Sequence, residues 1–190
     1  MIDFAIRRQR SGDSHEELTS LLHRAFAELA CQGIDCESAR QSTARTKERV
    51  ARGECFIAVK GRHMIGTVTL EVADRGALIP TYRDLSTASV HQLAVDPANQ
   101  GNGVGRSLIG YAAAWASARR FERLAVDTPQ SAQRQVAWYV DRGFDVSKTM
   151  QVPGRAYASI VLSKTLGACL RHVTGRVVES RFAAFPGCAT

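Results

Sequence analysis

Three glycines at alternate positions, Gly101, Gly103 and Gly105, follow an apolar run that stops at Asp96-Pro97. An amphipathic stretch begins directly after them, with Val104, Leu108, Ile109, Ala112, Trp115 and Ala116 at helical spacing. A strand, a glycine loop and a helix start form a place to hold a phosphate. The first turn of a helix leaves N–H groups unpaired, its dipole favours negative charge, and glycine lets the backbone approach an anion closely. The backbone amides of Gln100, Gly101, Asn102, Gly103, Val104, Gly105, Arg106 and Ser107 are the candidate donors, and Arg106 adds a charged contact. Two common phosphate loops do not fit. The dinucleotide pattern G-x-G-x-x-G meets Arg106 or Leu108 at its third glycine, and the P-loop pattern meets Gln100 at its first glycine and Arg106 in place of lysine.

Proton-transfer groups stand on the strands beside this loop. Glu71 shares the polar face of an alternating strand with Thr67 and Thr69. His91 opens the strand that leads into the loop, and an imidazole with an ordinary pKa near 6.5 suits a base at neutral pH. An exposed strand Glu and a strand-end His are the plain structural readings of the same residues, and the choice of base stays open here. Asp127 reads as a turn cap ahead of Pro129.

The elements that must position these groups alternate between strand and helix. Ala5–Arg7 reads as a first strand. Ser14-x-x-Glu17 is a capping box opening a helix with Leu18, Leu21, Leu22, Ala25, Phe26 and Leu29 on one stripe. Cys36 to Arg52 reads as a second helix ended by Gly53. Cys55–Val59 and Met64–Val72 form a hairpin around Lys60-Gly61-Arg62. A long connection, Ala73 to Ala88, precedes the strand Val90–Val95, the glycine loop and its helix. A strand Leu124–Asp127, a helix from about Ser131 to Asp141, and strands Phe144–Gln151 and Tyr157–Ser163 complete an α/β order, β-α-α-β-β-β-α-β-α-β-β.

Composition sets the outer bounds. The 190 residues, 45% apolar and 23% charged, are those of one ordinary globular domain. No run of eighteen apolar residues is present, so no membrane span is expected. The N-terminus lacks the apolar core of a secretory signal. Five cysteines without a C-x-x-C pair argue against zinc and fit reduced thiols in the cytoplasm. The net charge of +7 is scattered rather than run together with aromatics. It therefore reads as a solvated surface that attracts polyanions, not as a nucleic-acid interface.

The segment Gln100-Gly101-Asn102-Gly103-Val104-Gly105 fits a third pattern, [Q/R]-x-x-G-x-[G/A]. Leu93-Ala94-Val95-Asp96-Pro97 precedes it. Trp138-Tyr139 with Gly143-Phe144 follows about thirty residues after the loop, and the run from Tyr157 to Leu166 ends on Lys164-Thr165-Leu166. Together these resemble the GCN5-related N-acetyltransferase (GNAT) family from about Ile6 to Leu166. The resemblance implies a mixed, mostly antiparallel sheet of about seven strands flanked by about four helices. It implies an acetyltransferase domain over 1–166, with a C-terminal extension over 167–190 that has no counterpart. Val173 to Phe185 is open to reading as a strand, a helix or a dimer contact.

The resemblance further implies acetyl-CoA as cosubstrate and no metal. Leu93, Ala94 and Val95 would pair with the pantetheine arm, the Leu93 amide would receive the developing oxyanion, and the loop would hold the pyrophosphate. Tyr139 would serve as acid to the leaving thiolate, whereas its plain reading is a core aromatic beside Trp138. A carboxylate on the central strands, here Glu71, would act as base directly or through water, with His91 as the other candidate. One position departs from the family: the Asn expected seven residues before Tyr139 is Ala132. The implied activity is acetyl transfer to a primary amine of a small molecule or a peptide, with a homodimer possible. The alternatives are an acyl-CoA-binding regulatory module without turnover and a nucleotide-binding protein; the missing P-loop lysine speaks against the second.

Overall fold

The structure, a computed structural model, describes residues 3–167. The extension expected beyond Leu166, including the 173–185 element, lies outside the described residues from 168 on. Seven strands form one sheet: β1 (Ala5–Arg8), β2 (Glu54–Lys60), β3 (His63–Glu71), β4 (Thr87–Val95), β5 (Arg123–Pro129), β6 (Asp145–Gln151) and β7 (Ala158–Thr165). Their order across the sheet is β1-β2-β3-β4-β5-β7-β6. Every neighbouring pair is antiparallel except β4 and β5. Four helices cover it: α1 (His15–Cys31), α2 (Thr43–Val50), α3 (Val104–Ala118) and α4 (Gln133–Val140).

Alternation along the strands divides the side chains between two faces. On one face Val68, Leu70, Ala88, Val90, Leu124 and Val126 pack against the α3 stripe and Tyr139 of α4. On the other, Cys55, Ile57 and Ala94 meet Leu18, Leu21 and Leu22 of α1. A 3-10 turn, Pro80–Arg83, lays Ile79 and Tyr82 over Ala125 and Val161 on this second face.

Local chemistry departs from expectation in two places. The capping box forms by half: Ser14 Oγ accepts from the Glu17 amide at 3.1 Å. The Glu17 carboxylate does not turn back; it accepts from the Met64 amide at 2.9 Å and ties α1 to β3. The helix expected from 36 to 52 is interrupted. A 3-10 turn, Glu37–Ala39, comes first, and α2 starts afresh with Ser42 capping the Arg45 amide. The break allows buried Gln41 to donate to Thr46 and accept from Arg49.

Gly53 sits against the end of β3. A Cβ there would lie 2.1 Å from the Leu70 carbonyl oxygen and 2.9 Å from Glu71 Cγ. Backbone cannot yield as a flexible side chain does, so Gly53→Ala is expected to cost about 1–3 kcal/mol. Thermal unfolding should show this as a fall in Tm of about 2–4 °C per kcal/mol.

Candidate active site

The site is built where β4 leaves β5. Their parallel pairing covers only Thr87 to Val90 against Arg123 to Val126. Beyond that point β5 continues on β7, with Asp127 opposite Val161 and Pro129 opposite Ser159, while β4 follows β3. A β-bulge makes the turn. Thr69 pairs with His91 but Thr67 pairs with Ala94, so β4 carries one extra residue. That residue region contains Gln92 in the left-handed conformation, at φ 49°. The Asp96 amide donates to the Ile65 carbonyl at 3.0 Å. Alternation then turns the Leu93 and Val95 amides away from β3, toward the open wedge. The Leu93 and Val95 side chains meanwhile pack on the α3 face, so backbone and side chain do separate work.

The glycine loop closes the end of this wedge. Gly101 and Gly103 adopt φ of 75° and 85°, which any Cβ would strain. Gly103 is the N-cap of α3, and no side chain caps that helix. Two of the eight expected donors are used internally: the Gln100 amide donates to Pro97 O and the Ser107 amide to Gly103 O. Among the described residues no backbone hydrogen bond takes the amides between them, from Gly101 to Arg106. The Gln100 side chain donates to Val95 O at 3.2 Å and fastens the loop to the end of β4. Gly105 has a different reason from its neighbours: a Cβ there would press on the Trp138 ring at 3.2 Å. Gly66, which sequence reading passed over, lets α3 sit close on β3, since a Cβ there would meet Leu108 at 2.9 Å and Val104 at 3.1 Å.

A second guanidinium joins Arg106. Arg142 lies over the Trp138 ring, 3.7 Å from its centroid. Its pKa is lowered by burial and by nearby Arg106. Among the described residues neither arginine has a carboxylate within ion-pair distance, and two cations held close in this way suit an anionic ligand. The i, i+4 spacing of Trp138 and Arg142, which spans the end of α4, was the signal available in the sequence.

On the α1 face, the strands bring Glu71 and His91 together, 3.6 Å between Oε2 and Nε2. Burial pushes the His91 imidazole down to about 4, with Arg49, Arg155 and Arg52 also opposing its protonation. The two groups therefore do not form an ion pair at neutral pH. His91 Nε2 is hydrogen bonded to Ser89 Oγ at 2.8 Å. Burial raises the Glu71 carboxyl, against the pull of Arg52 and Arg49. Asp127 does not cap a turn. β5 runs through it to Pro129, and it accepts from the Tyr82 hydroxyl at 2.9 Å and pairs with Arg155. The Tyr82 ring in turn meets the His91 ring edge to face at 5.3 Å. Sequence reading assigned neither Tyr82 nor Arg155 to the site, because only the sheet brings residues 82, 127 and 155 together.

Tyr139 lies on the α3 face, 8% exposed, edge to face with Trp138 and Phe144. Burial, reinforced by Asp127, raises its phenol well above the ordinary value, so it keeps its proton. Ala132 is buried with Leu29 and Ile34, and the Gln133 side-chain Nε2 is spent on the Gln130 carbonyl. No group of His, Cys, Asp and Glu able to hold a metal occurs among the described residues. No helix there is long and apolar enough to cross a membrane.

The sequence profile of the acetyltransferase (GNAT) family matches residues 16–144. The chain belongs to the GNAT acetyltransferase family. Solved GNAT-type structures share its fold. The ribosomal-protein-S18-alanine N-acetyltransferase of Escherichia coli is 18% identical, with a TM-score of 0.66 over 91% of this chain and 100% of that one. A GNAT acetyltransferase from Elizabethkingia anophelis with acetyl-CoA bound is 18% identical, with a TM-score of 0.63 over 86% and 98%. The PaiA N-acetyltransferase of Thermoplasma acidophilum, in complex with coenzyme A, is 15% identical, with a TM-score of 0.68 over 86% and 99%. No curated protein sequence matches the chain. The wedge and the uncapped α3 terminus are thus features of a GNAT acetyltransferase, and the expected seven strands and four helices are present.

Two outcomes follow from this geometry. Gly105→Val should displace Trp138, so Tm and acetyl-CoA affinity should fall together in one titration series. His91 is neutral when folded and protonates near 6.5 when unfolded. Its contribution to stability is therefore full above about pH 6.5 and is lost as pH falls toward 4. Denaturant unfolding of His91→Gln across that window should show a shallower loss than the parent protein shows. The raised Glu71 carboxyl acts with the opposite sign and remains in both proteins.

Proposed function

We propose that this GNAT protein is an acetyl-CoA-dependent N-acetyltransferase that moves the acetyl group to a primary amine of a small molecule or peptide by direct attack on the thioester. The observation that carries this reading is the open edge of β4 after Val90, with amides turned out along it and an uncapped helix terminus at its end. The amides of Gly101 to Arg106, with Arg106 and Arg142, would hold the pyrophosphate. Leu93 and Val95 would receive the pantetheine arm, and the Leu93 amide would meet the oxyanion. Such donors are set in advance of the charge they stabilise.

The amine nitrogen forms a bond to the carbonyl carbon, its proton passes to a base, and the C–S bond breaks to release CoA thiolate. Glu71 is the better base. Its raised pKa brings it nearer that of an amine, whereas an imidazole near 4 is a weak acceptor. Tyr139 stays protonated and donates to the leaving sulfur. Cys36 and Cys55 have thiols pushed up by burial, which supports transfer without an acetylated cysteine.

Tyr139→Phe should leave Tm and acetyl-CoA affinity unchanged and cut turnover about 10- to 100-fold, the lower range for loss of an acid. Glu71→Gln should lose most turnover near neutral pH and regain part at high pH, where the amine deprotonates unaided. Release of free CoA thiol reads both. Acetyl-CoA at about 100 times its Kd should stabilise the protein by about 2.7 kcal/mol. Such binding with no turnover on any amine would make the protein a regulatory acyl-CoA-binding module instead.

A further inference from the structure

The glycine loop has few anchors. Pro97, Ala98 and the residues from Gln100 to Gly103 are exposed. A Cβ at Gly101 or Gly103 would meet nothing within 4 Å, so the loop stands clear of the packed core. Its hydrogen bonds are internal. The Asn99 amide donates to Asp96 O, the Gln100 amide to Pro97 O, the Gln100 side chain to Val95 O and the Asn102 side chain to Gln100 O. Among the described residues no hydrogen bond of 97–102 reaches beyond 95–102. The loop is therefore fixed at its two ends. At the far end Val104 is buried in the core under α3. At the near end stands Asp96, which makes both outward bonds. Its amide donates to Ile65 O of β3 at 3.0 Å. Its carboxylate works in two directions. Oδ1 accepts from the Ala98 amide at 3.0 Å and caps the 3-10 turn Pro97–Asn99. Oδ2 accepts from Arg24 Nε at 2.9 Å and from Arg24 Nη2 at 2.6 Å.

We infer that Arg24 is a positioning residue for the cosubstrate: acting through Asp96, it sets the direction in which the chain leaves β4 and so holds the Gly101–Arg106 amides ready for the pyrophosphate. This rests on the acetyl-CoA reading above. Arg24 has a firm base, because α1 is packed on the sheet through Leu18, Leu21 and Leu22, in one cluster with Ala94 of β4. The Asp96 side chain is only 14% exposed, so its carboxylate is held rather than solvated. The pair lies on the wall of a cleft of about 440 Å³ that Glu17, Lys60, His63 and Asn99 also line. None of these replaces Arg24. Glu17 is taken by the Met64 amide, and among the described residues Lys60 and His63 make no ion pair with Asp96. The helix that covers Glu71 and His91 is thus tied by one side chain to the loop that receives the phosphates. Amides set in advance bind more tightly than amides that must be ordered by the ligand.

The test is direct titration of the full chain with acetyl-CoA and with S-acetylpantetheine, which lacks the phosphates. Arg24→Gln should raise the Kd for acetyl-CoA about 3- to 5-fold, the scale of one partly exposed ion pair. It should leave the affinity for S-acetylpantetheine unchanged, because that ligand does not use the loop. Arg24→Lys keeps the charge and should recover part of the loss. Asp96→Asn keeps a capping side chain, and the pair acts as one unit. Asp96→Asn combined with Arg24→Gln should therefore bind acetyl-CoA no more weakly than the weaker single variant. With an acceptor in hand, Arg24→Gln should raise the KM for acetyl-CoA and leave kcat at saturation unchanged. Parent-like affinity for acetyl-CoA in a folded Arg24→Gln protein would overturn the inference. So would an equal loss for both ligands, which marks a general loosening, or additive losses in the double variant. A parent protein that binds no acetyl-CoA sinks the cosubstrate reading itself, and this inference with it.

Discussion

The separation of β4 from β5 after Val90 and Val126 is the constraint on which the rest of the molecule depends. A parallel pair kept together would use its amides on its neighbour and leave nothing for a ligand. Here the bulge moves β4 off its register by one residue, at the cost of a left-handed Gln92. A non-glycine residue in that region carries strain of roughly 1–2 kcal/mol. Gln92 also keeps a buried side-chain nitrogen without a partner. Strain and an unsatisfied donor persist only where surrounding structure holds them, and the β3 pairing on both sides of the bulge does so.

Packing on the α3 face then places the binding groups. Gly66 lets α3 settle onto β3, and Gly105 lets the Trp138 ring of α4 settle onto the first turn of α3. The same α4 carries Tyr139 inward, and the turn just after it lays Arg142 over Trp138. One helix–helix contact therefore fixes the position of a protonated phenol and of a cation beside the loop.

Burial on the α1 face decides which groups hold protons. Desolvation disfavours the charged form, so it pushes the Glu71 carboxyl up and the His91 imidazole down. The result is a carboxylate that accepts a proton more readily and an imidazole that accepts one less readily. Tyr82, Asp127 and Arg155 form a linked set beside them, which pins the His91 ring from one side while Ser89 holds its nitrogen.

The sequence by itself determined the parts whose chemistry is local. The left-handed turns at Gly101 and Gly103 and the uncapped start of the helix were legible from the alternating glycines, because positive φ and uncapped amides depend on neighbours in the chain. The strand and helix order followed from periodicities of two and 3.6, and the flanking motifs around Pro97, Tyr139 and Gly143 matched one family. Glu71 and His91 were legible as candidates from their strand positions, but not the choice between them, since that rests on how deeply each is buried. The helix expected over 36 to 52 failed because the buried polar contacts of Gln41 outweighed local helix preference. Gly105 was placed in the right loop for an incomplete reason, because its contact with Trp138 spans two helices. Tyr82, Asp127 and Arg155, far apart in sequence, meet only when β5 and β7 pair beneath the 3-10 turn. Tertiary structure alone decided the wedge, the bulge and the proton affinities, because each depends on which strands lie side by side and on how much water their packing excludes.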